Sequence, residues 1–179
     1  MIMIRTHNNS TKGFTIIETL VAVAILIVAV TGAFSAAQTG LSSAIFSKNE
    51  VIAFYLAQEG VENIRNIRDE NGLKGQAWLT DIANVPADPC YFGKACITDS
   101  ITNTISPCSG GASTCPVVLE DPVNGFYGYN SSWAATPFTR SIVLTQINAN
   151  EVSILVTVTW SKGIVARNFH VRENILNWQ

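Results

Sequence analysis

The sequence predicts an α+β protein in which the outer half of a long N-terminal helix packs on a small C-terminal antiparallel sheet. An uncharged apolar run lies near the N-terminus, and a helical repeat continues it through residues 39–71. Residues 138–179 alternate between apolar and polar as strands do. Between them, residues 72–137 are rich in Gly, Pro, Ser, Asn and Thr and contain all four cysteines, which predicts a variable, loop-rich segment.

The composition of the 179-residue chain limits its possible partners. Only 13% of the side chains are charged, 47% are hydrophobic, and the formal net charge is −2. Because a nucleic-acid-binding surface needs a basic excess, no nucleic-acid partner is predicted. No charged side chain occurs between Glu18 and Lys48, so this stretch is a candidate membrane segment.

A membrane-spanning helix is predicted within residues 14–38. The run Thr19–Ala37 would measure about 28 Å as a helix, which is close to the thickness of a hydrocarbon core, about 30 Å. Arg5 and Lys12 precede the run, which places the N-terminus in the cytoplasm and the rest of the chain outside. A secretory signal peptide is the alternative, but its apolar core would be shorter, and Ala33–Ala37 offers only a weak cleavage site.

The residues around Gly13 resemble the processing site of type IV pilins and of the pseudopilins of type II secretion. The segment from Lys12 reads KGFTIIETL, with a short basic leader, a Gly before an aromatic residue, a Glu five positions after that Gly, and an unbroken apolar helix. The resemblance implies that a membrane prepilin peptidase removes the leader, residues 1–13, by cleaving between Gly13 and Phe14. It also implies that the new amine of Phe14 is methylated.

Glu18 is the acid of this otherwise apolar segment, and such an acid is a functional residue by default. In a dry bundle of helices an unpaired carboxylate is costly. The resemblance implies that Glu18 acts in assembly, where it pairs with the terminal ammonium of Phe14 on a neighbouring subunit and so fixes the register. The alternative is a carboxylate that simply reaches the lipid headgroup layer.

Residues 39–71 are predicted to continue the helix and to seat a globular domain. Their apolar side chains share one helix face, which comprises Leu41, Ile45, Ile52, Leu56, Ile64 and Ile67. Phe54 and Val61 fall off this face and are interpreted as isolated exposed residues, with a contact to neighbouring subunits as the alternative. Asn71 and Gly72 are predicted to end the helix.

Cys90, Cys96, Cys108 and Cys115 are predicted to form two disulfides, which indicates an oxidising compartment. A zinc site is the weaker alternative, because there is no Cys-x-x-Cys pair and neither histidine is nearby. Four cysteines allow three pairings, and the sequence alone does not decide between them. Local closure, which joins Cys90 to Cys96 and Cys108 to Cys115, is favoured.

Three strands are predicted within residues 138–179, at 138–147, 151–161 and 164–172. Short turns between them make the sheet antiparallel. In the second strand, one face carries Val152, Ile154, Val156, Val158 and Trp160. This apolar face must be covered, and the outer half of the helix is the available partner. The resulting arrangement is similar to that of pilins.

The favoured function is that of a structural subunit, most similar to a minor pilin of a type IV pilus, with a type II secretion pseudopilin as the alternative. Its partners would be prepilin peptidase, other pilin subunits through helix–helix packing, and inner-membrane lipid before assembly. The mature domain would lie in the periplasm or in an extracellular filament. Whether the filament would serve adhesion, DNA uptake or secretion is left open by the sequence.

Two further classes of function were weighed. A membrane-anchored extracytoplasmic binding module is the alternative of a different class. An anchored enzyme is not predicted, because the sequence has no nucleophile-elbow, zinc-protease or phosphate-loop motif. Accordingly no catalytic, metal-binding or cofactor-binding residue is predicted.

Overall fold

A computed structural model describes residues 13–163 and 165–177 of the chain. Leader residues 1–12 lie outside the described residues, and so does the part of the processing prediction that falls on them. The chain divides into two compact units between Ser47 and Lys48. The elements are α1 (Ile16–Leu73), β1 (Ala95–Asp99), β2 (Thr104–Pro107), a 3-10 turn (Ala112–Thr114), β3 (Val117–Glu120), β4 (Tyr127–Gly128), β5 (Ala134–Asn148), β6 (Glu151–Lys162) and β7 (Val165–Leu176).

The first unit, as far as it is described, is the N-terminal part of α1. Every residue from Gly13 to Ser47 is solvent-exposed. Within the described residues, α1 is the one helix that is long and apolar enough to cross a membrane. The predicted segments 14–38 and 39–71 are therefore parts of a single helix.

The predicted end of the helix at Asn71 and Gly72 is wrong, because α1 continues to Leu73. The residue that ends it is Gly75, whose φ of +67° is the left-handed conformation that glycine adopts at low cost. The amide of Gly75 donates to the carbonyl of Gly72 at 3.0 Å, and that of Gln76 donates to the carbonyl of Asn71 at 2.9 Å. These two bonds form a Schellman motif, which satisfies carbonyls at the helix end.

Within the second unit, α1 buries a face made largely of small residues. The buried apolar positions are Ala53, Leu56, Ala57, Gly60, Val61, Ile64 and Ile67. A Cβ added at Gly60 would lie 3.1 Å from a methyl carbon of Val156, so the missing side chain lets the helix approach β6 closely. The interpretation of Val61 as exposed is wrong, because the small residues on this face bring it against the sheet, where it is 2% exposed.

The other residues of the predicted apolar face divide between the two units. Leu41 and Ile45 belong to the first unit and are exposed. Phe54 is 39% exposed, and its ring meets the ring of Phe169 on β7 edge to face, with 5.8 Å between centroids. Phe54 is thus neither isolated nor part of the core.

All seven strands join one antiparallel sheet with β5 at its centre. One edge of β5 pairs with β6, which in turn pairs with β7, and the opposite edge of β5 is shared by β1 and β3. The three predicted C-terminal strands are confirmed, and the five apolar residues assigned to one face of β6 are all buried. The sheet is larger than predicted, because β1 to β3 and the short β4 come from residues 72–137.

Disulfides join Cys90 to Cys96 and Cys108 to Cys115, which is the local pairing that was favoured. The first bridge lies in the main core. The second packs in a smaller cluster with Ala95 and Ile97. Both bridges therefore fix parts of the chain that have little regular structure.

One buried arginine ties α1 to the sheet. The side chain of Arg140 on β5 is 1% exposed. Its guanidinium donates to the Leu56 carbonyl at 3.0 Å, to the Glu59 carboxylate at 3.1 Å, and to the Thr98 carbonyl of β1. Burial raises the pKa of the Tyr129 hydroxyl beside it, and the Arg140 charge offsets that rise only in part.

We expect Arg140→Met to lower the free energy of unfolding by about 3 kcal/mol, because it removes the cationic partner of the Glu59 carboxylate and a hydrogen bond to each of two backbone carbonyls. The value is at the low end for a buried pair, since the Glu59 side chain is 29% exposed. Urea unfolding of the full chain in detergent, followed by tryptophan fluorescence, measures the loss.

Arg172→Met is the matched control, because Arg172 is an exposed arginine of the same sheet. We expect it to change the free energy of unfolding by less than about 0.5 kcal/mol. Equal effects of the two substitutions would contradict the assigned role of Arg140.

Candidate functional site

The candidate site is the start of α1, where Thr15 caps the helix. The Thr15 hydroxyl accepts a hydrogen bond from the Glu18 amide at 3.3 Å, and the Thr15 carbonyl accepts one from the Thr19 amide at 3.2 Å. Thr15 and Glu18 stand three residues apart, which is the spacing of a capping box. The sequence analysis missed this signal, although the Thr-x-x-Glu pattern before an apolar run is visible in the sequence.

Glu18 occupies the first turn of α1, where a carboxylate interacts favourably with the positive end of the helix dipole. No ion pair to Glu18 is formed within residues 13–163 and 165–177. Its side chain lies on one helix face among apolar neighbours, which are Phe14, Ile17, Val21, Ala22 and Ile25. The carboxylate is therefore available to a group outside the described residues.

A side chain at position 13 would fit the described structure without a clash. No atom of the described residues lies within 4 Å of a Cβ added there, and the neighbouring Phe14 is 74% exposed. The described residues therefore give no structural reason for glycine at this position.

The apolar surface beyond Glu18 is uncovered on all sides. From Leu20 to Val30 the large hydrophobic side chains are between 52% and 71% exposed. Monomeric soluble proteins rarely expose a continuous apolar surface of this size, and such surfaces mark contact with a membrane or with other proteins. The helix is thus consistent with membrane anchoring.

Within the described part of the chain, no group of three or more His, Cys, Asp or Glu side chains is placed to hold a metal ion. All four cysteines are in disulfides and so supply no thiolate nucleophile. His170 is exposed on β7.

Comparison with known proteins identifies the N-terminal segment. Residues 8–34 match a family model described as the prokaryotic N-terminal methylation motif. This motif, followed by a long apolar helix, is the signature of type IV pilins and pseudopilins. The chain matches no curated protein and no solved structure. The match thus bears on the start of the chain, and it is typical of structural subunits rather than of enzymes.

Proposed function

From the type IV pilin and pseudopilin signature at its N-terminus, we propose that this chain is a minor-pilin-like structural subunit of a type IV pilus. The observation that carries the proposal is the methylation motif of residues 8–34 at the start of a helix that is apolar and exposed from its first turn to Ser47. A helix of this kind needs lipid before assembly and neighbouring helices afterwards.

The first step of the proposed pathway is insertion into the inner membrane with the N-terminus in the cytoplasm. Arg5 and Lys12 hold the leader on that side. The unit that begins at Lys48 then lies outside the cytoplasm, where its two disulfides are stable.

The second step is cleavage between Gly13 and Phe14 by prepilin peptidase. Among the described residues none lies close to Gly13, which supports access of a protease cleft to this bond. Cleavage removes Arg5 and Lys12 and leaves an ammonium group on Phe14. Methylation of that amine keeps its charge, so the mature helix begins with a cation four residues before the Glu18 carboxylate.

The third step is packing of the apolar helix among the helices of other subunits. Glu18 then leaves water, and it pairs with the Phe14 ammonium of a neighbour, which removes the penalty of a buried charge. The capping geometry supports this role, because the Thr15 hydroxyl bonds only the backbone amide of Glu18. The Glu18 carboxylate takes no part in that bond.

A pseudopilin of type II secretion would have the same start. The N-terminal chemistry is common to both assemblies, so the structure around Glu18 favours neither. Recovery of the chain from sheared surface filaments supports the pilus, whereas its retention in the periplasm of a secreting cell supports the pseudopilin.

We expect Gly13→Val to accumulate as uncleaved precursor, because a branched side chain obstructs the close fit of the backbone in the peptidase cleft. The described fold should not change, since a Cβ at position 13 meets no atom in residues 13–163 and 165–177. Mass spectrometry of the membrane fraction from cells with the peptidase measures the cleaved fraction.

Gly32→Val is the matched control, because it adds the same side chain at another glycine with no neighbour within 4 Å. It should be cleaved like the unaltered chain. Equal cleavage of the two variants would show that Gly13 is not part of the processing site.

We expect Glu18→Gln to be cleaved normally and to enter filaments more than about tenfold less well, because it leaves the ammonium of its neighbour unpaired in a dry interface. The amount of the variant in sheared filaments, relative to its amount in the membrane, measures incorporation.

Thr15→Ala separates assembly from capping. It removes the capping hydroxyl, at a cost of about 1 kcal/mol, but keeps the carboxylate. We expect its incorporation to stay near normal. If Thr15→Ala is as defective as Glu18→Gln, or if Glu18→Gln is incorporated normally, the pairing role is wrong.

A further inference from the structure

β7 is a long strand at the edge of the sheet. It pairs with β6 through consecutive residues from Val165 to Leu176, with no bulge. Within the described residues β6 is its one strand partner. The other edge of β7 therefore presents a regular row of backbone amides and carbonyls that another strand can bind.

Charged side chains are present on this edge, but it lacks the backbone devices that usually prevent strand addition, which are prolines and bulges. β7 contains no Pro, no Gly and no Lys. The pairings of β5 with β3 and with β6 do contain register shifts, so irregularity is found elsewhere in this sheet but not at its open edge. An edge of this length with an unbroken register and no proline can accept another strand by β-strand addition.

The side chains of β7 divide between the two faces of the sheet. The odd-numbered positions from Phe169 onward are at least partly buried on the face that carries α1, and they include Val171, Glu173 and Ile175. The even-numbered positions are exposed on the other face, and they include His170 and Arg172. Directly opposed residues of two antiparallel strands point to the same face, so odd positions of a second β7 must meet odd positions of the first.

One register of β7 against a second β7 is self-complementary. In this register His170 faces His170 across a two-fold axis. On the α1 side, an opposite-charge pair then lies on each side of the axis, with apolar pairs both nearer to the axis and farther from it. The opposed pairs on the α1 side are then Arg167 with Glu173, Phe169 with Val171, and Val165 with Ile175. Such opposed pairs contribute to the stability of an antiparallel sheet.

The neighbouring registers that keep the faces aligned do not match. A shift in one direction sets Phe169 against Glu173, and a shift in the other sets Arg167 against Val171. Each sets a charge against an apolar side chain. Self-complementarity is therefore confined to the register centred on His170.

We propose that the free edge of β7 binds the same edge of a second copy of this chain, in antiparallel register about His170. The contact is isologous, so one edge serves both partners. In this contact, the Glu173 carboxylate accepts a hydrogen bond from the opposed Arg167 guanidinium and keeps its ion pair with Arg65. The Leu176 carbonyl, which accepts from Arg68, lies outside the matched pairs.

The two-fold axis of such a pair is perpendicular to the sheet, and it reverses every direction within the plane of the sheet. The segment of α1 from Lys48 to Leu73 therefore runs in opposite directions in the two copies. Copies in one filament share one direction, so the pair joins subunits of two separate filaments that lie antiparallel. The contact itself goes beyond the proposed function, and only this placement between filaments rests on it.

Cysteine substitution tests the register in the full chain, purified in detergent. The native cysteines are all bridged, so an introduced thiol is the reactive one. His170→Cys should form a covalent dimer on mild oxidation, because residues opposed across the axis have Cα atoms about 5 Å apart, within the range of a disulfide. Non-reducing electrophoresis and mass spectrometry detect the dimer.

Asn168→Cys and Arg172→Cys are the matched pair of controls. Each lies about 13 Å from its own copy across the axis and should stay monomeric alone. Mixed together they should cross-link, because Asn168 of one copy faces Arg172 of the other. The detergent removes any dependence on filament assembly, so the result does not depend on whether the proposed function is right.

Cross-linking of His170→Cys and of the mixture, but of neither control alone, supports the proposal. Self-linking of either control, or absence of cross-links in both His170→Cys and the mixture, overturns it. Circular dichroism and intact mass establish that each variant is folded with its native bridges. His170→Lys, which sets two cations opposite each other, should weaken concentration-dependent dimers in sedimentation about two- to fivefold, and dimers of unchanged affinity also overturn the proposal.

Discussion

The uncovered apolar surface of α1 is the constraint on which the rest of the structure depends. Between Glu18 and Lys48 the helix carries no charge, and its residues up to Ser47 are all exposed. Contact of apolar surface with water costs about 25 cal/mol per Å², so this segment requires lipid or other helices around it. In such surroundings one carboxylate has a large effect, because its charge must be paired wherever water is excluded.

The later part of the same helix meets a different requirement. From Ala53 onward its small residues allow close packing on the sheet, and Arg140 joins helix carbonyl, helix carboxylate and β1 through one buried guanidinium. The N-terminal part of α1 thus packs against none of the described residues, while the C-terminal part is held by the core of the second unit. The two disulfides extend that core into the segment between helix and sheet.

Much of this fold could be predicted because the sequence patterns that indicate it extend over many residues. The apolar run and the alternation along β6 each extend over many residues, and both lead to the observed elements. Short signals failed: Gly75 ends α1 where Gly72 was expected to, and β1 to β4 are too brief for a period to be visible. The prediction for Val61 was wrong because the apolar pattern was defined by large side chains and left out alanine and glycine. These small residues determine how closely α1 approaches the sheet. The capping role of Thr15 is visible in its spacing to Glu18, because Thr-x-x-Glu before an apolar run is a capping-box pattern. The proposed partner of Glu18 is a group on a neighbouring subunit, and the structure of one chain cannot test that pairing.

The most direct test is the mass of the N-terminal peptide of the chain recovered from sheared filaments. A mature chain that begins at Phe14 with a methylated amine is the predicted result, and it would join processing, modification and assembly in one measurement. A chain that still begins with Met1, or that begins beyond Ala37, would contradict the account, because the ammonium that Glu18 requires would then not exist.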